Sequence, residues 1–99
     1  MTTAQFKVEN YLPNSFIMVE GKKNAGNFYI IRSGKVKITK ENPVVSEEPF
    51  TILGPGDFFG VVSCMSGHSR LDTAVALEQV SLISVEKDLF GLLIQKNPA

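Results

Sequence analysis

Cysteine and histidine are nearly missing from these 99 residues: there is one of each, Cys64 and His68. A single cysteine excludes an internal disulfide, and neither a zinc site nor an iron–sulfur cluster can be built from it. A single histidine excludes the clustered imidazoles of the usual metal centres, so no metal ligands are assigned. Net charge is missing too. Ten basic and ten acidic side chains cancel, which leaves no basic footprint for nucleic acid and no polycationic face for an acidic membrane. No apolar run approaches the roughly 20 residues that span a bilayer. The opening "MTTAQFKVEN" has neither the charged nor the apolar region of a secretory signal. The expectation is a cytoplasmic chain that contacts neither nucleic acid nor membrane.

The motifs of catalysis are absent as well. Ser66, His68 and Asp72 could name a triad, but they lie too close in sequence to converge. The nucleophile elbow "G-x-S-x-G", the zinc motif "HExxH" and the phosphate loop "GxxxxGK[ST]" do not occur. Cys64 reads as a small buried hydrophobe and His68 as a polar turn residue. No catalytic residue is assigned, and the chain is not expected to be an enzyme.

What is present is a globular composition, 43% apolar and 20% charged, at a length that suits one domain over residues 1–99. Short β-prone runs dominate. "KVKITK" alternates polar Lys35, Lys37 and Thr39 with Val36 and Ile38, the period of a half-buried strand. "NFYIIRSG" is a more continuous run closed by Ser33-Gly34, and the two segments read as a tight hairpin with Gly34 at positive φ. "SFIMVEG", "EPFTILGPG", "TAVALE" and "VSLISVE" supply further strands. "ENPVVSEE" between Lys40 and Pro49 reads as a polar connection. The aromatic pair Phe58 and Phe59 reads as core. A short helix is expected across "VVSCM" after Gly60. A longer one spans "EKDLFGLLIQKN", with Leu89, Phe90, Leu93 and Ile94 on one face and carboxylates in its first turn. The fold class is mainly β: a β-sandwich or jelly roll with flanking short helices and a C-terminal helix.

One stretch has the makings of an anion site. After Gly60 the amides of Val61, Val62 and Ser63 open a short helix, where backbone donors lack intrahelical partners. Ser63 adds a hydroxyl, and Arg70, one of two arginines, offers a forked donor of permanent charge. A surface ion pair between Arg70 and Asp72 is the competing reading.

"EG" at Glu20-Gly21, "FYIIRSGKVKI", "LGPGDFFG", an arginine ten residues after Gly60, "TAVALE" and a closing "NP" follow in order. Together they resemble the cyclic-nucleotide-binding domain family of catabolite-activator-type transcription factors, cyclic-nucleotide-dependent kinases and gated channels. Each fragment alone is weak; their order and spacing over about 85 residues are specific. The resemblance implies a double-stranded β-roll in which Gly60 to Thr73 forms a phosphate-binding cassette. It marks Gly60, Val61, Val62, Ser63, Ser69, Arg70, Leu71 and Thr73 as ligand-binding. Ser63 matches the small residue whose amide faces the phosphate. Arg70 matches the arginine that pairs with it, Ser69 the residue before that arginine, and Thr73 a hydroxyl residue facing the base.

Two positions depart from the family pattern. Val61 stands where a glutamate holds the ribose 2′-hydroxyl, a loss of roughly 1.5–3 kcal/mol, or about ten- to a hundredfold in affinity. Asp72 stands where a small residue is preferred, and on the same face as Arg70 it would repel an incoming anion. The resemblance therefore implies a regulatory ligand-sensing module in signal transduction, whose effector is cyclic AMP, cyclic GMP or another small anion, with no further cofactor. The alternative is a ligand-free β-roll used for interaction or as a scaffold. A homodimer or a partner protein is compatible with either. Because the sequence ends at Ala99, the lid helix and output domain of family members are expected to be lacking.

Overall fold

The computed structural model describes residues 6–23, 25–39 and 50–89. Among these residues eight strands and one short helix follow in order, with a helical turn begun after the last strand: β1 (Phe6–Tyr11), β2 (Phe16–Met18), β3 (Asn27–Ser33), β4 (Val36–Thr39), β5 (Phe50–Leu53), β6 (Phe58–Phe59), α1 (Val61–Ser66), β7 (Thr73–Ala76) and β8 (Val80–Glu86). Among the described residues they form two four-stranded antiparallel sheets, ordered β1-β8-β3-β6 and β2-β7-β4-β5. This is the mainly β roll that the family resemblance implies.

The pattern of each strand follows from what covers its two faces. Tyr29 and Ile31 of β3 and Val80 and Leu82 of β8 meet Met18, Val36, Ala74 and Ala76 of the opposite sheet in a core between the layers. Phe28 of β3 and Val85 of β8 point the other way, into a second cluster with Cys64 of α1 and the partly buried Leu89. A strand covered on both sides has no solvent face to mark with polar residues. That is why "NFYIIRS" reads as a continuous run while "VKIT" alternates. Ile31, Val36 and Leu82 are fully buried, each worth about 1.5–3 kcal/mol by area.

The expected β3–β4 hairpin is corrected. β3 pairs with β6 and β8, while β4 pairs with β5 and β7, so Ser33-Gly34 carries the chain from one sheet to the other. Gly34 does take positive φ, at 89°, but close packing also demands it. A Cβ there would sit on the Gln79 carbonyl oxygen and 2.8 Å from Val80 Cγ2.

Phe58 is likewise corrected. Phe59 is buried and stacks on Tyr29 with ring centroids 5.1 Å apart, whereas Phe58 is 61% exposed. Successive strand residues face opposite sides, so the pair splits. Just before them, Asp57 closes the "GPGD" turn by accepting a hydrogen bond from the Gly54 amide at 2.8 Å. Of the expected C-terminal helix, residues 87–89 are helical, and the Lys87 N–H donates to the Gly26 carbonyl at 3.0 Å. Phe90, Leu93 and Ile94 lie outside the described residues, as does the connection "ENPVVSEE".

Candidate functional site

The site is built on the turn that starts α1. Gly60 adopts φ 79° and ψ 9° immediately before the helix, and Gly67 closes it in the same left-handed region, its N–H bonded to the Ser63 carbonyl. The first intrahelical bond runs from the Cys64 amide to the Gly60 carbonyl at 3.1 Å. The amides of Val61 and Val62 come before it and have no carbonyl behind them in the helix.

Arg70 sits beneath this turn. Its residue is 5% exposed, and its guanidinium donates to the Gly60 carbonyl at 3.2 Å, to Ser63 Oγ at 3.2 Å and to Asn27 Oδ1 at 2.8 Å. Its central carbon lies 5.8 Å from the centroid of the Tyr29 ring, within range of a cation–π attraction. These bonds use three of the five guanidinium donors, and each acceptor is a neutral oxygen. The backbone is held as firmly: the Arg70 N–H donates to the Lys22 carbonyl at 2.9 Å, and the Arg70 carbonyl accepts from Gly21 at 2.8 Å. Three residues on, Thr73 Oγ1 accepts from the Glu20 amide at 2.9 Å. The "EG" pair is thus the strap that fixes the far end of the cassette.

A cavity of about 320 Å³ lies on the other side of the turn. Ile38, Thr51 and Leu53 contribute β4 and β5 to its wall, and Phe58, Phe59, Gly60, Val61, Val62, Ser63, Leu71 and Asp72 complete it. Among the described residues Asp72 is the one charged member of this lining. The sequence-marked set therefore divides. Gly60, Val61, Val62, Ser63 and Leu71 line the cavity, Arg70 stands behind Gly60 and Ser63, Ser69 is exposed and Thr73 serves the Glu20 strap. The surface ion pair with Asp72 is not the arrangement of Arg70, whose side chain is buried and bonded to neutral oxygens. His68 is exposed, its amide donating to Ser66 Oγ at 3.3 Å. Cys64 is buried, as expected of a small hydrophobe; burial pushes its thiol pKa up, against the opposing pull of the Arg70 and Lys87 cations.

Asn27, Tyr29 and the β4–β5 wall were not legible as site residues. Asn27 and Tyr29 reach Arg70 from 43 and 41 positions away in the chain, across the sheet stacking that only the fold creates. The alternation in "KVKITK" does place Ile38 on an inward face, and that signal could have marked it.

Two packed antiparallel sheets with a short helical turn beside them define a β-roll. Residues 8–97 match the family model for the cyclic nucleotide-binding domain, and the chain belongs to that family. It is 31% identical over 96 residues to the CRP-like cAMP-activated global transcriptional regulator of Mycobacterium tuberculosis, a match covering 97% of this chain and 42% of the relative. Over 86 residues it is 33% identical to the cAMP-dependent protein kinase regulatory subunit of Debaryomyces hansenii, covering 87% of this chain and 18% of that one. The crystal structure of the Thermus thermophilus catabolite activator protein superposes with a TM-score of 0.79 at 27% identity, covering 92% of this chain and 42% of that one. The chain therefore spans less than half the length of these relatives.

Proposed function

We propose that this domain is the ligand-sensing part of a cytoplasmic regulator and takes a small anionic effector, a cyclic nucleotide first among the candidates, at the turn from Gly60 to Ser63. The observation that carries the reading is the buried Arg70, a permanent cation bonded to three neutral oxygens. A desolvated charge is costly unless it is paired. An anionic group seated against the amides of Val61 and Val62 and the hydroxyl of Ser63 would bring the missing countercharge to within reach of the guanidinium. The 320 Å³ cavity and its apolar wall of Ile38, Leu53 and Phe58 suit the remainder of a nucleotide.

The residues fit a phosphate better than a ribose. Val61 offers the 2′-hydroxyl no acceptor, and the acidic residue Asp72 is among those lining the cavity, where a negative charge disfavours anions. Weak binding is the expected outcome. Binding would be read out through α1, since Val61 and Cys64 share a cluster with Leu89 in the helical turn that follows β8. The proposal assigns the domain no catalytic step and no contact with nucleic acid.

A ligand-free scaffold is the second reading. It is favoured by Arg70 being held entirely by acceptors inside the protein, as a structural clamp would be. Calorimetric titration with cyclic AMP and cyclic GMP separates the two. The sensing reading expects measurable binding that Arg70→Lys abolishes, because an ammonium cannot reproduce the fork. It also expects Val61→Glu to tighten binding by about ten- to a hundredfold. Absent or millimolar binding that neither substitution changes overturns it in favour of the scaffold.

A further inference from the structure

We infer that Asn27 is the positioning residue for Arg70, holding the guanidinium in place with a neutral acceptor so that its charge stays available to an anionic ligand. This inference rests on the sensing reading given above.

Asn27 opens β3 and lies outside the cassette, yet its Oδ1 makes the shortest of the three Arg70 hydrogen bonds, at 2.8 Å against 3.2 Å for the other two. The other end of the amide is also occupied: Nδ2 donates to Ser84 Oγ at 2.6 Å. Ser84 is buried on β8, the strand to which β3 is paired. With Nδ2 anchored on the neighbouring strand, Oδ1 is the atom left to face the guanidinium, so the amide has one usable orientation. The backbone at this point is tied down too, since the preceding Gly26 carbonyl accepts from Lys87. A bond from the start of an inner strand of one sheet thus fixes a side chain that belongs to the loop before β7.

The chemistry of the acceptor matters as much as its place. A carboxylate at position 27 would hold Arg70 more strongly, through a charge-assisted bond, but would supply in cis the countercharge that a ligand would otherwise bring. An amide orients without neutralising. A merely structural clamp would gain from the carboxylate; a site for anions would lose by it. Asparagine and aspartate are nearly isosteric, so the two roles separate on one substitution.

The test uses the 99-residue chain with Asn27→Asp and Asn27→Ala, cyclic AMP as the calorimetric probe, thermal melting, and NMR of the arginine side-chain nitrogens. There are two arginines, and exposed Arg32 serves as the internal reference. Asn27→Asp is expected to melt at or above the wild-type temperature and to bind cyclic AMP at least about tenfold more weakly. Asn27→Ala is expected to merge the separate Arg70 Nη signals into one exchange-averaged line, as in Arg32. Wild-type affinity in Asn27→Asp, or unaltered Arg70 Nη signals in Asn27→Ala, overturns the inference. If the wild-type chain binds neither cyclic AMP nor cyclic GMP, the sensing reading fails and with it the ligand role of Asn27. Its hold on Arg70 is then judged by the Nη signals alone. Should Asn27→Ala fail to fold, the melting and binding of the isosteric Asn27→Asp decide.

Discussion

Arg70 and Gly60 are fitted to each other. The guanidinium donates to the Gly60 carbonyl at 3.2 Å, and a Cβ on Gly60 would stand 3.0 Å from the same nitrogen. The glycine is therefore needed twice, once for its φ of 79° and once to leave room for the arginine. Gly60→Ala is expected to cost about 1–2 kcal/mol for the left-handed backbone, and to displace Arg70 as well. Urea denaturation reads the first effect. The Arg70 side-chain nitrogen signals read the second.

Gly34→Ala should be the more damaging of the two. Its Cβ would meet the Gln79 backbone oxygen and the Cα of Val80, at 2.9 Å, and backbone cannot swing aside as a guanidinium can. The expected outcome is a larger loss of stability than in Gly60→Ala, read as a lower urea midpoint with an unchanged m-value.

Leu82 and Val62 test the separation of core from site. Leu82 is fully buried and pairs with both neighbours of β8, at Glu9 and Ile31. Leu82→Ala should cost about 2–5 kcal/mol. Val62 is 67% exposed and lines the cavity. Val62→Ala should shift stability by about 0.5 kcal/mol or less, so any change in cyclic-nucleotide affinity reports the site itself.

Stability should fall on the alkaline side. Burial, and then the hydrogen bond from the Tyr11 hydroxyl to Glu9 Oε1 at 2.7 Å, push the tyrosine pKa well above its ordinary value. Burial raises the Cys64 thiol in the same direction. Both groups keep their protons in the native state at pH values where the unfolded chain has lost them. The native state then binds more protons, and unfolding free energy decreases as pH rises through about 8.5 and then about 10. Urea midpoints from pH 7 to 11 should show this decline, and Tyr11→Phe should flatten its upper part. Cys64 should react with a thiol reagent only on the timescale of unfolding.

Much of the fold could be read from local pattern. Alternation located β4, and β-prone runs bounded by turn residues located β2, β3, β5, β7 and β8. Gly60 located the start of α1. β1 is not legible locally because "FKVENY" is short and mixes polar with apolar residues next to the N-terminus, and β6 because two residues carry no period. The hairpin error has a different origin. A Ser-Gly pair between two strands specifies a reversal, while which strands then pair depends on long-range partners. The site divided in the same way. The cassette's residues are consecutive and could be named, but the direction of Arg70 depends on Asn27, Ser63 and Tyr29, which only the stacked sheets bring together. Proximity in sequence suggested Asp72 as a partner. Packing chose a neutral acceptor on another strand.

The pairing of β1 with β8, Phe6 opposite Val85 and Tyr11 opposite Val80, has a consequence for biosynthesis. β8 is the central partner of both β1 and β3, and it is the last strand of the described chain to leave the ribosome. Until it emerges, β1 and β3 each present an unsatisfied edge, which makes the nascent polypeptide prone to aggregation. Chaperone occupancy during translation should therefore persist until Glu86 has cleared the exit tunnel.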